Sequence, residues 1–442
     1  MAIKPEEFAK RRRQLARTMG DGTIAILPSA PELIRSRDVH HPYRQDSDFW
    51  YLTGFEEPES VAVLMPGREQ AEFVLFCRER DPDKEAWDGA RAGPQGAIDA
   101  FGADDAFPIS DLDDILPGLM ENRSVYYTMG RNPSFDQQLI GWLNGLRRGG
   151  QSGASSPPQE IVALEHILHD MRLYKSRGEI VAMRHAAKVA TIAHQRAMRA
   201  VRPGMFEYEL EAEYLHEFRR HKGVASYPAI VGGGANACVL HYIENDQPLR
   251  DGDLVLVDAG CEIDYYASDL TRTFPVNGRF SDAQRALYDI VYEANLAAID
   301  RVVVDNHWND AHDAAVRVIA KGLIREGLLD GPLSKVLQKE TYRTFFMHRT
   351  GHWLGIDVHD VGDYHVHDRW RLLEPGMVLT IEPGVYVPQQ ADVPKAFRGI
   401  GIRIEDDVAV TRRGPDVLSK HLVKQADDVE SFMHRAENRR SA

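Results

Sequence analysis

One short frame occurs twice in the chain: a glycine, five residues, an acid, one residue and a second glycine. It reads GDLVLVDAG at Gly252–Gly260 and GMVLTIEPG at Gly376–Gly384. In both copies an almost wholly aliphatic run leads straight into the acid, Asp258 in the first and Glu382 in the second. Such runs predict buried strands. After the first copy, Tyr265–Phe274 is rich in β-branched and aromatic residues and reads as the returning arm of a hairpin that turns near Ile263–Tyr265. That register sets Asp269 almost opposite Asp258. Beyond the second copy, GIGIRIEDDVAV places Glu405 inside a further apolar strand. Two half-domains built this way would bring four carboxylates to a shared pseudo-twofold interface. Ionised carboxylates in an apolar sheet repel and are poorly solvated, so protons, basic side chains or metal ions must neutralise them. Four in one place point to bound cations.

The elements around the frame repeat as well. Ala186, Ala190, Ala193 and Ala197 form a small-residue stripe at helical spacing, a second helix spans Glu207–His221, and the first carboxylate hairpin follows. Then Ser281–Gln284 forms a capping box that opens a helix running to about Val304. Another helix covers Asp310–Arg325, and strands run from Thr344 to Val410. Helix, helix, strands, twice over, is a duplicated α+β domain. Upstream, a helix over residues 4–19 turns Phe8, Leu15 and Met19 inward. Strands at Thr23–Leu27, Ser60–Met65, Glu72–Cys77 and Val125–Thr128 complete an α/β arrangement. At 442 residues the chain exceeds one hydrophobic core. The Gly/Ser/Pro-rich run Arg147–Pro158 reads as an exposed loop, and the boundary is set so that residues 1–173 form the N-terminal α/β domain and 174–442 the duplicated one. The tail from Asp427 to Ala442 reads as a charged, fraying helix.

Several functions are excluded or disfavoured. A formal net charge of −14 argues against a nucleic-acid surface. No apolar run approaches the roughly 20 residues of a membrane-spanning helix, and the N-terminus lacks the apolar core of a secretory signal. Three cysteines without a CxxC pair give neither a disulfide framework nor a cysteine zinc site. Cytoplasmic residence is the expectation. Gly232–Gly234 lacks the GxGxxG order and the following helix of a phosphate loop. His348, His352, His359, His365 and His367 crowd the second half. His348 and His352 have the spacing of a zinc-protease helix, but Arg349 stands where that motif needs glutamate, and Gly351 and Gly355 disfavour a helix. His365 and His367 alternate along a strand and read as surface or rim.

The run MHRTGHWLGIDVHD (Met347–Asp360), the stretch EPGMVLTIEPGVY, GIRIEDD and the hairpin with its two aspartates resemble the metallopeptidases of the pita-bread fold, specifically the Xaa-Pro aminopeptidases. The resemblance covers residues 174–425, and YRQDSDFWYLTGFEEPES (Tyr43–Ser60) is similar to the N-terminal half of the bacterial members. It implies a metal pair held by Asp258, Asp269, His352, Glu382 and Glu405, with Asp269 and Glu405 bridging. Four carboxylates and two divalent ions also balance in charge. A shell of carboxylates with one imidazole suits Mn²⁺, with Co²⁺ or Zn²⁺ able to substitute. The implied reaction is attack by a metal-bridging hydroxide on the bond between any N-terminal residue and a penultimate proline. Glu382 would carry the proton to the leaving nitrogen. His241, His359 and Arg403 match positions that line or orient the site, and His348 and Tyr386 match pocket positions. Trp87, in WDGARAG, resembles a loop that reaches a partner subunit's active site, which implies substrate contact and a homo-oligomer, dimer or tetramer.

The nearest alternative is an Xaa-Pro dipeptidase (prolidase) of the same fold, which shares the metal chemistry but accepts only dipeptides. The metal-free creatinases of this fold are set aside if all five implied ligands bind. A non-catalytic peptide-binding module of the same fold is the remaining alternative, separated by its inability to take up divalent metal.

Overall fold

The computed structural model describes residues 3–150 and 156–440, and its internal contacts divide the chain into the units Ile3–Met171 and Arg172–Ala442. The division precedes residue 174 for a visible reason. Arg172 donates to Asp357 and Asp360, at 2.7 and 2.6 Å, and Lys175 donates to Asp360 at 2.8 Å, which ties this stretch into the second unit.

In the first unit, a mixed sheet runs in the order Asp105–Pro108, Phe73–Cys77, Val61–Leu64, Thr23–Pro28, Ser124–Tyr126 and Ile161–Val162. Its central strands are buried on both faces, which is why they read as unbroken apolar runs rather than alternating ones. Helix Pro5–Met19 buries Leu15 and Met19, and Phe8 packs edge-on to Trp50. Arg11 and Arg12 are buried too, because their guanidinium groups donate to the carbonyls of Tyr51 and Leu52 at 3.0 and 2.9 Å. The loop expected from Arg147 begins later. Leu139, Leu143 and Leu146 stay buried at helical spacing and hold helix Pro133–Gly150 together to its end. Residues 151–155 of that expected loop lie outside the described residues.

The second unit contains two half-domains of like design. In the first, helices Arg177–Ala200 and Glu207–Arg220 cover a sheet of Ile230–Gly233, Leu254–Asp258 and Thr271–Pro275. Ala186, Ala190, Ala193 and Ala197 are all fully buried; without longer side chains the helix approaches the sheet closely. In the second, helices Asp282–Ile299 and Trp308–Arg325 accompany Val378–Ile381, Asp406–Thr411 and Gly414–Val417, with Gly384–Val387 paired to Ile400–Arg403. The capping box forms as the sequence predicts, with Ser281 accepting from Gln284 N and the Gln284 side chain returning to Ser281 N. The helix stops at Ile299, short of Val304, because the chain turns away and Asp305 N–H bonds to Leu373 O.

Other expectations are corrected. Gly232 lies in a strand, where Gly232 opposes Leu256. The hairpin turn itself falls where expected, at Ile263–Tyr266, with Asp264 and Tyr265 both left-handed. Regular pairing on the returning arm starts only at Thr271, since Ala267 N–H is drawn to Gly355 O instead. Between Thr344 and Val378 the backbone is mostly irregular, and Thr350–Leu354 runs beside Val378–Glu382 through bonds from Leu354 N to Val378 O, Thr380 N to His352 O and Glu382 N to Thr350 O. Gly351 makes this approach possible, since a β-carbon there would lie 2.0 Å from Thr380 O. The tail helix Ala426–Arg440 does not fray at its start, because Val429 and Met433 join the core.

The half-domains meet along their strands. Glu405 N–H donates to Thr271 O at 3.0 Å, and Arg403 N–H donates to Thr273 Oγ1 at 3.1 Å.

Candidate metal centre

Both repeated frames enter their strand through a glycine of positive φ, Gly252 at 84° and Gly376 at 98°, a conformation that side chains with a β-carbon rarely adopt. Each strand then delivers its acid at the end, Asp258 from one half-domain and Glu382 from the other. Asp258 pairs with Thr271, so Asp269 sits two residues off direct opposition rather than across from it. The gap is bridged by Tyr227, whose hydroxyl lies 2.5 Å from Asp258 Oδ1 and also contacts Asp269 Oδ1.

One ligand atom each from Asp269, His352 and Glu405 falls within 4.8 Å of the other two. His352 Nε2 stands 3.3 Å from Asp269 Oδ2 and 3.7 Å from Glu382 Oε1. The other ring nitrogen of His352 bonds to Trp353 O at 2.9 Å, fixing the direction in which Nε2 points. Thr271 Oγ1 donates to Glu405 Oε2 at 2.7 Å. Asp258, Asp269, His352, Glu382 and Glu405 therefore form one cluster.

The electrostatics show what the cluster lacks. Burial, followed by the charges of Asp269, Asp258 and Glu382, pushes Glu405 well above the ordinary carboxylate range. Burial raises Glu382 to about 7 and raises Asp258 despite the nearby Arg403. His352 is lifted to about 9: burial opposes its charge, but the bond to Asp269 and the charge of Glu382 overcome that. Burial pushes Asp269 up, but the bond to His352 and its charge, with the Tyr227 hydroxyl and Arg403, together hold it low. Among the described residues, Arg403 and a proton on His352 are the positive charges set against these acids. Oxygen donors with one imidazole, converging and short of positive charge, fit divalent metal ions.

Arg403, His348, Tyr386, His359 and His241 fall around this cluster. Arg403 donates to Asp258 Oδ2 at 2.6 Å, to Tyr386 Oη at 2.8 Å and to Thr271 Oγ1 at 3.2 Å. His348 Nε2 lies 2.9 Å from Tyr386 Oη, and its Nδ1 lies 3.8 Å from Glu382 Oε2. The His359 ring stands edge-on to His352 at 4.3 Å between centroids. His241 is exposed and close enough for its charge to depress both His348 and His359. Trp87 belongs to the N-terminal unit, on helix Pro82–Asp88, with 89% of its surface exposed. His365 stacks on Trp370, and His367 occupies a left-handed turn rather than a strand; neither joins the cluster.

Several participants escaped the sequence reading. Tyr227 belongs to no motif. Asp407, fully buried, accepts the Asp269 N–H at 3.2 Å; its place directly after Glu405 and Asp406 was the one available signal. His312 Nδ1 bonds to Thr350 Oγ1 at 2.8 Å from a helix that carried no site motif. Thr380 stands two residues before Glu382 in the second frame, a position the repeat made visible.

Comparison with known proteins agrees with this geometry. Residues 181–412 match the metallopeptidase family M24, and residues 8–127 match the aminopeptidase P N-terminal domain. The Xaa-Pro aminopeptidase of Escherichia coli K12 is 44% identical over 434 residues, covering 98% of each chain. That of Haemophilus influenzae is 41% identical, again with 98% of each chain covered. Among solved structures, Pseudomonas aeruginosa aminopeptidase PepP superposes with a TM-score of 0.98 at 56% identity, covering 99% of both chains. A glutamate-to-alanine variant of Escherichia coli aminopeptidase P in complex with substrate gives a TM-score of 0.96 at 44% identity, covering 99% of this chain and 100% of that one. Two domain families in the expected order, full-length identity and a carboxylate–histidine cluster at the half-domain junction have one explanation: the chain belongs to the Xaa-Pro aminopeptidases of metallopeptidase family M24.

Proposed function

We propose that the chain removes the N-terminal residue of peptides whose second residue is proline, with Asp258, Asp269, His352, Glu382 and Glu405 holding two divalent ions, manganese by preference. The convergence of Asp269, His352 and Glu405, with Glu382 beside them, carries this reading. When bound, the ions supply Lewis acidity, polarising the scissile carbonyl and making water nucleophilic at neutral pH. Glu382 moves the proton. The nitrogen of an Xaa-Pro bond has no hydrogen of its own and leaves only when protonated, so a carboxylate able to accept a proton and return it is required. His359 and His241 contact the peptide and stabilise the developing oxyanion. Arg403 orients Asp258, and with His348 and Tyr386 it forms a hydrogen-bonded wall beside Glu382.

Residues 174–442 carry the chemistry in this reading. Trp87, exposed on its helix, contacts substrate in a neighbouring copy of a homo-oligomer, dimer or tetramer; its bare ring and the exposed Leu33 and Ile34 support such an assembly. Residence is cytoplasmic: Cys77, Cys238 and Cys261 are free thiols, which suits a reducing compartment. Among the described residues, no helix is long and apolar enough to cross a membrane.

The test offers Xaa-Pro-Xaa tripeptides and Xaa-Pro dipeptides to the Mn²⁺-loaded protein. Tripeptide hydrolysis with release of the first residue is expected; hydrolysis confined to dipeptides would reject the assignment in favour of a prolidase. Glu382→Ala is expected to lose turnover by about 10²–10⁴-fold.

A further inference from the structure

We infer that Thr380 is a positioning residue whose hydroxyl fixes one oxygen of Glu382 and so sets the orientation of the whole carboxylate. The inference rests on Glu382 being the proton carrier.

Thr380 is fully buried, and its hydroxyl makes two bonds of opposite sense. It accepts from His352 N–H at 3.1 Å and donates to Glu382 Oε1 at 3.3 Å. Because its lone pair is engaged by His352 N–H, its single proton is directed at Oε1. Oε1 is turned toward Thr380 and the His352 ring, 3.7 Å away, whereas Oε2 faces His348 Nδ1 at 3.8 Å, on the side of Tyr386 and Arg403. The Thr380 hydroxyl therefore holds Oε1 and sets the direction in which Oε2 faces.

The duplication supplies independent support. At the equivalent place in the first frame stands Leu256, equally buried, and Asp258 takes its contacts from Tyr227 and Arg403 instead. A buried strand position in this fold is therefore filled without a hydroxyl. The polar residue occurs only in the copy whose acid is read as moving a proton. The backbone of Glu382 is anchored separately, by its N–H to Thr350 O at 2.8 Å, and Thr350 is in turn bonded to His312. Loss of the Thr380 hydroxyl thus frees the carboxylate more than the strand.

The experiment compares Thr380→Val and Thr380→Ser with the wild type and with Glu382→Ala, measuring kcat and KM on a tripeptide, Mn²⁺ affinity of the apoprotein by calorimetry, and Tm. Thr380→Val is expected to lower kcat and weaken Mn²⁺ binding by about 10- to 100-fold each, with KM nearly unchanged, and Thr380→Ser to restore both. A fall in Tm with kcat and Mn²⁺ affinity intact would overturn the inference, as would a serine variant as impaired as the valine one. If Thr380→Val does not fold, Thr380→Ala against Thr380→Ser decides by the same criteria. Retained turnover in Glu382→Ala would reject the proton-carrier reading itself; loss there with normal Thr380→Val rejects only the positioning role.

Discussion

Arg403 Nη2 and Asp258 Oδ2 meet at 2.6 Å, joining the last residue of strand Ile400–Arg403 to the last residue of Leu254–Asp258 across the junction of the half-domains. Arg403 is only 4% exposed, and burial alone would discharge it; the surrounding Tyr386 and carboxylates keep it charged. Arg403 thus adds a positive charge beside the acids, which suits a reaction that develops an oxyanion.

Removing that guanidinium should therefore harm the metal-free protein more than the loaded one. Breaking a buried pair by deleting one partner costs about 3–5 kcal/mol, and bound cations take over part of the neutralisation. Arg403→Met is expected to show a larger drop in Tm in chelator than in saturating Mn²⁺. Equal drops in both conditions would show that Arg403 does not share the neutralising role with the metals.

Chelation is itself expected to lower Tm, because an ion that binds only the folded state stabilises it by about 2.7 kcal/mol at 100 times its dissociation constant. Differential scanning calorimetry with and without Mn²⁺ reads the shift, and titration should give two ions per chain. Glu405→Ala should reduce that stoichiometry or weaken both sites.

Asp360 is buried between Arg172 and Lys175, at 2.6 and 2.8 Å. Burial would raise its carboxyl, but the two cations hold it below the ordinary range. A depressed acid contributes stability that is present above the unfolded value near 3.9 and is lost as pH falls below it. Asp360→Ala is expected to cost about 3–5 kcal/mol at neutral pH and less below pH 4. Denaturant titrations at both pH values check this, and a cost independent of pH would contradict the ionised triad.

His194 is fully buried, bonded to Leu270 O at 3.0 Å and to Tyr214 Oη at 2.9 Å. Burial, helped by the charge of Arg272, lowers it to about 3 from an ordinary 6.5. The folded protein thus keeps it neutral while the unfolded chain protonates it, so stability falls as pH drops from 6.5 toward 3, by up to about 1.4 kcal/mol per pH unit for this one group. His194→Gln should flatten that part of the stability-versus-pH curve measured by urea unfolding.

Local pattern carried a good deal of this. Asp258 and Glu382 were identifiable because each ends an aliphatic run in a repeated frame, and Asp269 and Glu405 because they were read into the strands that follow, although Asp269 precedes strand Thr271–Pro275 and Glu405 falls between strands Ile400–Arg403 and Asp406–Thr411. The hairpin turn at Ile263–Tyr266 fell where expected. What failed was extent: the returning strand was read from Tyr265, but Ala267 N–H bonds to Gly355, far along the chain, and strand pairing waits until Thr271. The helix expected to reach Val304 likewise yields to a bond from Asp305 to Leu373.

Sequence alone determined which side chains carry the charge and that they come in two matched sets, since periodicity and the glycine-framed repeat are properties of neighbouring residues. Tertiary structure decided how that charge is shared: that Tyr227 spans Asp258 and Asp269, that Arg403 faces one oxygen of Asp258, and that the Thr380 hydroxyl turns toward Glu382. Hydrogen-bond direction depends on angles between strands that are distant in the chain, and only their packing sets those angles.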